Sequence, residues 1–248
     1  MYYDLSPGSK SVGGSSKDMI VAVHQPQYLP WLGYFDKMDR ADVFVLLDNV
    51  QFKKNEWQNR NRIKTSQGWQ WLTVPVKYRF PQKVKEVEIN NQVKWGHKHL
   101  QALRTNYLKT GYFGDHRPFF EEIFARDWIR LVDLNVCIID YLRDTLGIST
   151  QIRMASKMAL SEEPNQRLID ICREVGADMY LAGAGGRDYM DLSAFERAGL
   201  RVEFQEYIHP VYPQLFGDFQ PNMSVVDLLF NCGPESLEII RKGRKGGG

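Results

Sequence analysis

Residues 19–47 are MIVAVHQPQYLPWLGYFDKMDRADVFVLL, and they contain two apolar runs separated by a short helical pattern. The runs, 19–23 and 42–47, have the length and composition of buried strands. Between them a helix is predicted over 31–38, because proline is well tolerated at the start of a helix and Pro30 lies there. Two strands joined by one helix form a βαβ unit with parallel strands.

Similar apolar runs along the rest of the chain extend this unit. Strands are predicted at 69–76, 151–154, 179–181 and 202–204, and helices at 164–175 and 193–198. Three further helices, 93–108, 117–124 and 128–146, predict a helical insert or cap over about 93–146. We therefore expect a Rossmann-like, doubly wound α/β fold in a single domain over 19–240. Residues 1–18 are predicted to be a flexible leader and 241–248 a disordered tail.

Composition narrows the class of protein. The net charge is +2, and 43% of the residues are hydrophobic, which disfavours dedicated nucleic-acid binding and fits an ordinary globular protein. The three cysteines are far apart among apolar neighbours, which is typical of buried free thiols and favours a cytoplasmic location. The first apolar run is too short to cross a membrane. We predict no metal site, because His97 and His99 would point to different faces of a helix.

The loop after the first strand is the first candidate site. Ligands of parallel sheets bind beyond the carboxyl ends of the strands, and a helix N-terminus favours anions. The loop holds His24, Gln25, Gln27 and Tyr28, which we predict to bind a substrate, with His24 donating or accepting a proton. The alternative is that these residues only pack the entrance to the helix.

The second candidate site follows the second strand. Asp48 could position a hydroxyl or a cation there, and Asn59, Arg60 and Asn61 lie at strand-like spacing and could bind phosphates or carboxylates. A solvated basic hairpin is the alternative.

The third candidate site is a glycine-rich loop after a late strand. Gly183, Gly185 and Gly186 would let the backbone approach a ligand closely, with Asp188 beside them. A tight turn with a helix cap is the alternative. Nearer the end of the chain, His209 is a candidate partner for Asp227, which lies in an apolar helix; a structural histidine is the alternative.

Four motifs resemble the WbqC-like protein family over residues 19–233. They are H-Q-P-Q-Y-L-P-W-L-G-Y-F at 24–35, W-Q-N-R-N-R-I at 57–63, Y-L-A-G at 180–183 and H-P-x-Y-P-Q at 209–214. The resemblance implies a place in the biosynthesis of bacterial O-antigen or other surface polysaccharides. Some members are described as putative glycine transferases that act on amino sugars.

The expected function is acyl or aminoacyl transfer to an amino sugar or a nucleotide-linked sugar. His24 would be the general base, and Asn59 or Arg60 would stabilise the developing negative charge. A fold-level similarity to nucleotidyltransferases with an H-x-G-H motif makes ATP an alternative ligand, although residues 27–31 contain neither that glycine nor a second histidine. A noncatalytic protein that binds nucleotide sugars is the other alternative. The donor and the oligomeric state stay open.

Overall fold

The computed structural model describes residues 18–245, which form nine strands and eight α-helices. The strands are β1 (Ile20–His24), β2 (Val43–Leu46), β3 (Arg60–Thr65), β4 (Gly68–Thr73), β5 (Val76–Lys77), β6 (Glu88–Ile89), β7 (Gln151–Met154), β8 (Met179–Ala182) and β9 (Arg201–Phe204). The helices are α1 (Leu32–Asp39), α2 (Trp95–Tyr107), α3 (Phe113–Ala125), α4 (Leu131–Thr145), α5 (Pro164–Val175), α6 (Leu192–Arg197), α7 (Val225–Cys232) and α8 (Ser236–Lys242).

Five parallel strands form the central sheet, in the order β7, β2, β1, β8, β9. From β1 the chain moves through β2 to β7 on one side and then crosses back to β8 and β9 on the other. The order therefore reverses between β1 and β8, which is the topological switch point of a doubly wound sheet. This confirms the predicted Rossmann-like α/β fold.

Each face of the sheet is covered by apolar helices. Val21 and Val23 point to the face covered by α5 and α6, whereas Ala22 points to the other face, as the two-residue period of a strand requires. That second face belongs to a large apolar core that also includes residues of α1, α7 and the three helices predicted over 93–146. Strands buried on both faces are near-continuous apolar runs, which is why the sequence shows them clearly.

The predicted strand over 69–76 lies outside the central sheet. Its first part is β4, which pairs with β3 in an antiparallel hairpin, and its last residue starts β5, which pairs with β6. The local pattern identified an extended segment correctly. It carried no information about the partner strand, because pairing in a sheet depends on residues distant in sequence.

The predicted tail is ordered over part of its length. The Arg241 guanidinium binds the Asp39 carboxylate at 2.9 Å, and Arg244 Nε lies 2.6 Å from Asp36 Oδ1. These ion pairs fix residues 241–245 against α1, so the prediction of disorder is wrong for that segment. The predicted leader lies outside the described residues except for Asp18, which pairs with Arg201.

Candidate functional site

Three cavities meet at His24, the last residue of β1. The first, of about 390 Å³, lies at the switch point and is lined by residues that include Lys37, Arg167, Tyr180, Gly183, Gly185, Gly186 and Tyr189. The second, of about 450 Å³, is lined by Gln27, Trp31, Trp57, Arg62 and Asn222. The third, of about 320 Å³, is lined by residues that include Trp31, Gly33, Tyr34, Gly183, Gln205 and Tyr207. His24 lines all three.

His24 is an uncharged imidazole at neutral pH. Burial, together with the nearby charge of Lys37, lowers its pKa from 6.5 to about 3. Its Nδ1 lies 3.3 Å from the Gln25 carbonyl oxygen, and its ring lies 4.8 Å from the ring of Tyr34. The side chain is thus fixed by its neighbours, and it can donate or accept a hydrogen bond without carrying charge.

Lys37 is one of the titratable groups of the first cavity that the sequence prediction missed. Its side chain is 2% exposed, and its Nζ donates to the Val23 carbonyl oxygen at 2.8 Å. Burial lowers the pKa of the amine from 10.5 to about 7. Within residues 18–245 no carboxylate forms an ion pair with it, so the hydrogen bond to Val23 offsets the cost of charging it only in part.

The glycine-rich loop separates the first and third cavities. Gly183 and Gly185 line both, and Gly186 lines the first. A side chain at Gly186 would meet Met190 Sδ at 2.9 Å, so the glycine allows close packing under the loop. Gly33 and Tyr34, in the first turn of α1, also line the third cavity, and the dipole of a helix favours an anion near its N-terminus.

The loop from His24 to α1 is held by the amides that the sequence suggested as ligands. Asn61 Nδ2 donates to the carbonyl oxygen of Leu29, a residue in the left-handed region at φ 45°. Asn59 Nδ2 donates to the Val74 carbonyl oxygen, and its Oδ1 accepts from Asn55. Both amides are buried and committed to the backbone, so they position the site from outside the cavities.

Three other predicted ligands are also engaged in internal contacts. The Tyr28 hydroxyl lies 2.8 Å from His99 Nδ1, and Asp48 Oδ1 accepts from the Ser156 N–H at 2.8 Å. Gln25 lines the first cavity, where its Oε1 accepts a hydrogen bond from Gln58. Of the amides in the loop, Gln27 is the one whose Oε1 is buried with no hydrogen-bond partner.

The remaining predicted residues lie apart from His24. Arg60 stacks on Trp71 outside the three cavities, and Asp188 is exposed. His209 donates no hydrogen bond to Asp227; its Nδ1 lies 3.0 Å from the Pro210 carbonyl oxygen. The predicted Asp–His pair is therefore wrong.

Tyrosines and a glutamine bind Asp227 instead. The hydroxyls of Tyr107 and Tyr212 donate to its two carboxylate oxygens at 2.7 and 2.8 Å, and Gln214 Nε2 donates at 2.6 Å. Tyr107 lies 120 residues from Asp227, whereas Tyr212 and Gln214 lie 15 and 13 residues before it, in the same motif as His209.

Gln205 is a second lining residue that sequence reasoning missed. Its Nε2 donates to the Gly33 carbonyl oxygen at 2.8 Å and to Asp36 Oδ2 at 2.7 Å, which ties β9 to α1. α1 is buried from Leu32 to Met38 although it carries Asp36 and Lys37, so its own residue pattern did not indicate that these two charged side chains are buried.

Membrane-spanning helices and clusters of metal ligands are both absent from the described residues. No helix of residues 18–245 is long and apolar enough to cross a membrane. No group of three or more histidine, cysteine, aspartate or glutamate side chains in the same range is arranged to hold a metal ion.

The fold and the cleft define a Rossmann-like α/β protein with cavities of small-molecule size at its switch point. The sequence model of the WbqC-like protein family matches residues 25–239, and the chain belongs to this family. It is 37% identical over 229 residues to the uncharacterized protein Rv1507c of Mycobacterium tuberculosis. The aligned region covers 91% of this chain and 99% of that protein. No solved structure matches the chain significantly.

Proposed function

We propose that the protein is a transferase that joins two small molecules at His24, by acyl or aminoacyl transfer to the amine of an amino sugar or a nucleotide-linked sugar. The observation that carries the proposal is the meeting of three cavities at one histidine, beside a buried lysine with no acidic partner among residues 18–245. Two substrates bound in cavities that share His24 would be held next to each other, and a transfer reaction gains rate from such proximity.

Lys37 fits the role of general base better than His24. A general base is most effective when its pKa lies near the working pH, and the pKa of Lys37 is about 7 whereas that of His24 is about 3. In the proposed step the acceptor nitrogen attacks the donor carbonyl carbon, the new C–N bond forms, and the bond to the leaving group breaks. The proton of the attacking amine passes to Lys37, and neutral His24 orients the reacting groups by hydrogen bonding.

One observation favours ATP or another phosphorylated donor as the second substrate. The first turn of α1 lines the third cavity, next to His24 and the glycine-rich loop, where the phosphates of nucleotides bind in doubly wound folds. The alternative function, formation of an adenylate, would use the same arm. It differs in its product, because pyrophosphate would be released.

The test combines binding and product analysis. Thermal shifts with ATP, nucleotide sugars and glycine identify ligands, since a ligand that binds only the folded state raises its stability. Mass spectrometry of mixtures containing the stabilising ligands then detects either an amide product or pyrophosphate. We expect an amide product, formed with a pH profile that rises through about pH 7.

Variants separate the two candidate bases. Lys37→Met should lower the rate by about 10²- to 10⁴-fold with little change in ligand binding, because a general base contributes this much. His24→Gln keeps a hydrogen-bonding group and should retain much more activity. Lys98→Met, which removes an exposed lysine of α2, is the matched control. Full turnover in Lys37→Met, or no product with any stabilising ligand, would contradict the proposal.

A further inference from the structure

One face of the β3–β4 hairpin carries alternating cations and indoles. Arg60, Arg62 and Lys64 are two residues apart on β3, so their side chains share a face. Across the pair, Arg62 lies opposite Trp71, and Lys64 lies opposite Trp69. We call this surface the hairpin face. It borders the second cavity, because Arg62 lines that cavity as well.

The arginines of the hairpin face rest on indole rings. The Arg60 guanidinium lies 4.2 Å from the centre of the Trp71 ring, and that of Arg62 lies 5.0 Å from Trp69 and 5.8 Å from Trp57. Neither arginine forms an ion pair with a carboxylate in the part of the chain that the structure describes. Arg62 Nη2 donates to the Asn222 carbonyl oxygen at 3.2 Å, whereas the Nε atoms of Arg60 and Arg62 are buried without a partner in the protein. Stacking holds the two guanidinium groups in place, and their remaining N–H groups suit the binding of an oxyanion.

Inside the second cavity a buried amide lacks a hydrogen-bond partner. Gln27 is 7% exposed, and its Oε1 is buried without a partner in the protein. An unpaired buried carbonyl oxygen costs free energy, and a donor from a ligand would recover it. Trp31 and Trp57 line the same cavity, and Trp57 is 37% exposed, so an apolar ring surface is available beside the polar group.

We propose that the second cavity and the hairpin face bind a saccharide that carries a carboxylate or a phosphate. An indole packs against the C–H face of a pyranose, an amide oxygen accepts from a sugar hydroxyl, and a guanidinium binds the anionic group through paired hydrogen bonds. The cavity opens on His24, so the bound sugar would present one of its groups to the reacting centre. This inference rests on the proposed function and assigns its sugar substrate to one arm of the cleft.

The experiment measures the binding of four probes in the absence of any donor. Tryptophan fluorescence and ligand-observed NMR titrations use D-glucuronate, glucose 1-phosphate, glucose and inorganic phosphate. We expect both anionic sugars to bind at least about tenfold more tightly than glucose, since a hydrogen bond to a charged group contributes that much. Glucose 1-phosphate should also bind more tightly than inorganic phosphate, because the ring adds contacts with the indoles.

Variants locate the binding on the hairpin face. Arg62→Gln should remove the preference for the anionic sugars over glucose. Trp57→Leu should weaken the binding of all three sugars. Arg126→Gln is the matched control, since Arg126 lies 5.1 Å from Trp128 in a similar pair away from the cleft, and it should change nothing. The wild-type comparison of D-glucuronate with glucose remains decisive if a variant fails to fold.

Several results would overturn the inference. They are equal binding of D-glucuronate and glucose, equal binding of glucose 1-phosphate and inorganic phosphate, or tighter binding of single-stranded DNA than of either anionic sugar. The titrations contain no donor, so a failure to detect transfer would count against the proposed function and leave this inference standing.

Discussion

Replacement of Lys37 by methionine should change how the stability of the protein depends on pH. Methionine has a similar length and no charge, so it fills the same space on α1 without the cost of a buried ammonium group. It loses the hydrogen bond from Nζ to the Val23 carbonyl oxygen, which is worth about 1 kcal/mol. Near neutral pH the loss of the charge dominates, and we expect Lys37→Met to be more stable than the wild type.

The magnitude follows from the pKa of the amine. Burial lowers it from 10.5 to about 7. Between those values the unfolded chain binds more protons at Lys37 than the folded chain does, so the wild-type free energy of unfolding rises with pH. We expect a rise of about 2 kcal/mol between about pH 7 and pH 9 and little change below about pH 7, where Lys37 is protonated in both states. Lys37→Met lacks this contribution. The difference in stability between the variant and the wild type should therefore shrink by the same amount over this pH range.

Urea denaturation at a series of pH values measures the difference directly. The wild type and Lys37→Met are compared with Lys98→Met, which corrects for the loss of a lysine at the surface. Because the other titratable groups are common to all three proteins, their contributions cancel in the difference. Parallel stability curves for the wild type and Lys37→Met between pH 7 and pH 9 would refute the assignment of a buried, uncompensated amine.

Three further predictions follow from packing and burial. In Gly33→Ala the new methyl group would lie 2.2 Å from the Trp31 ring, so we expect a loss of about 1–3 kcal/mol and a shifted tryptophan emission spectrum; an unchanged spectrum would contradict the contact. In Asp227→Ala two tyrosine hydroxyls and one amide lose their acceptor, and we expect chemical denaturation to show a loss of at least about 3 kcal/mol, whereas Asp227→Asn should retain part of that. A thiol reagent should reach only the half-buried Cys137 quickly in native protein and all three thiols after denaturation; three fast thiols in native protein would refute the burial.

The sequence predicted the inner strands β1, β2 and β8 well because each is a short apolar run that is mostly buried, whereas the edge strands β7 and β9 alternate polar and apolar residues. The predicted 151–154 and 164–175 coincide with β7 and α5, and β1 and β2 lie within about a residue of the predicted bounds. The sheet membership of 69–76 could not be predicted, because β4 has the same local pattern whether its partner is β3 or a central strand.

The candidate site was predicted in part for a similar reason. His24 and the glycine-rich loop lie at the carboxyl ends of neighbouring parallel strands. Both are therefore at the edge of the sheet where ligands of such folds bind. Lys37 was missed because a lysine in a short helix is normally exposed. Its side chain lies against Val23 and lines a cavity with Tyr180 and Gly183, which come from far along the sequence.

The ion pair between Arg244 and Asp36 has a consequence for biosynthesis. The two residues are 208 positions apart, and Asp36 is completely buried in the folded protein. During translation α1, which carries Asp36, is synthesised early. Arg244, whose guanidinium pairs with Asp36, is synthesised much later. A nascent chain that stops short of residue 244 lacks the cation that pairs with this buried carboxylate, so α1 can complete its ion pair only after nearly all the polypeptide described here has been synthesised.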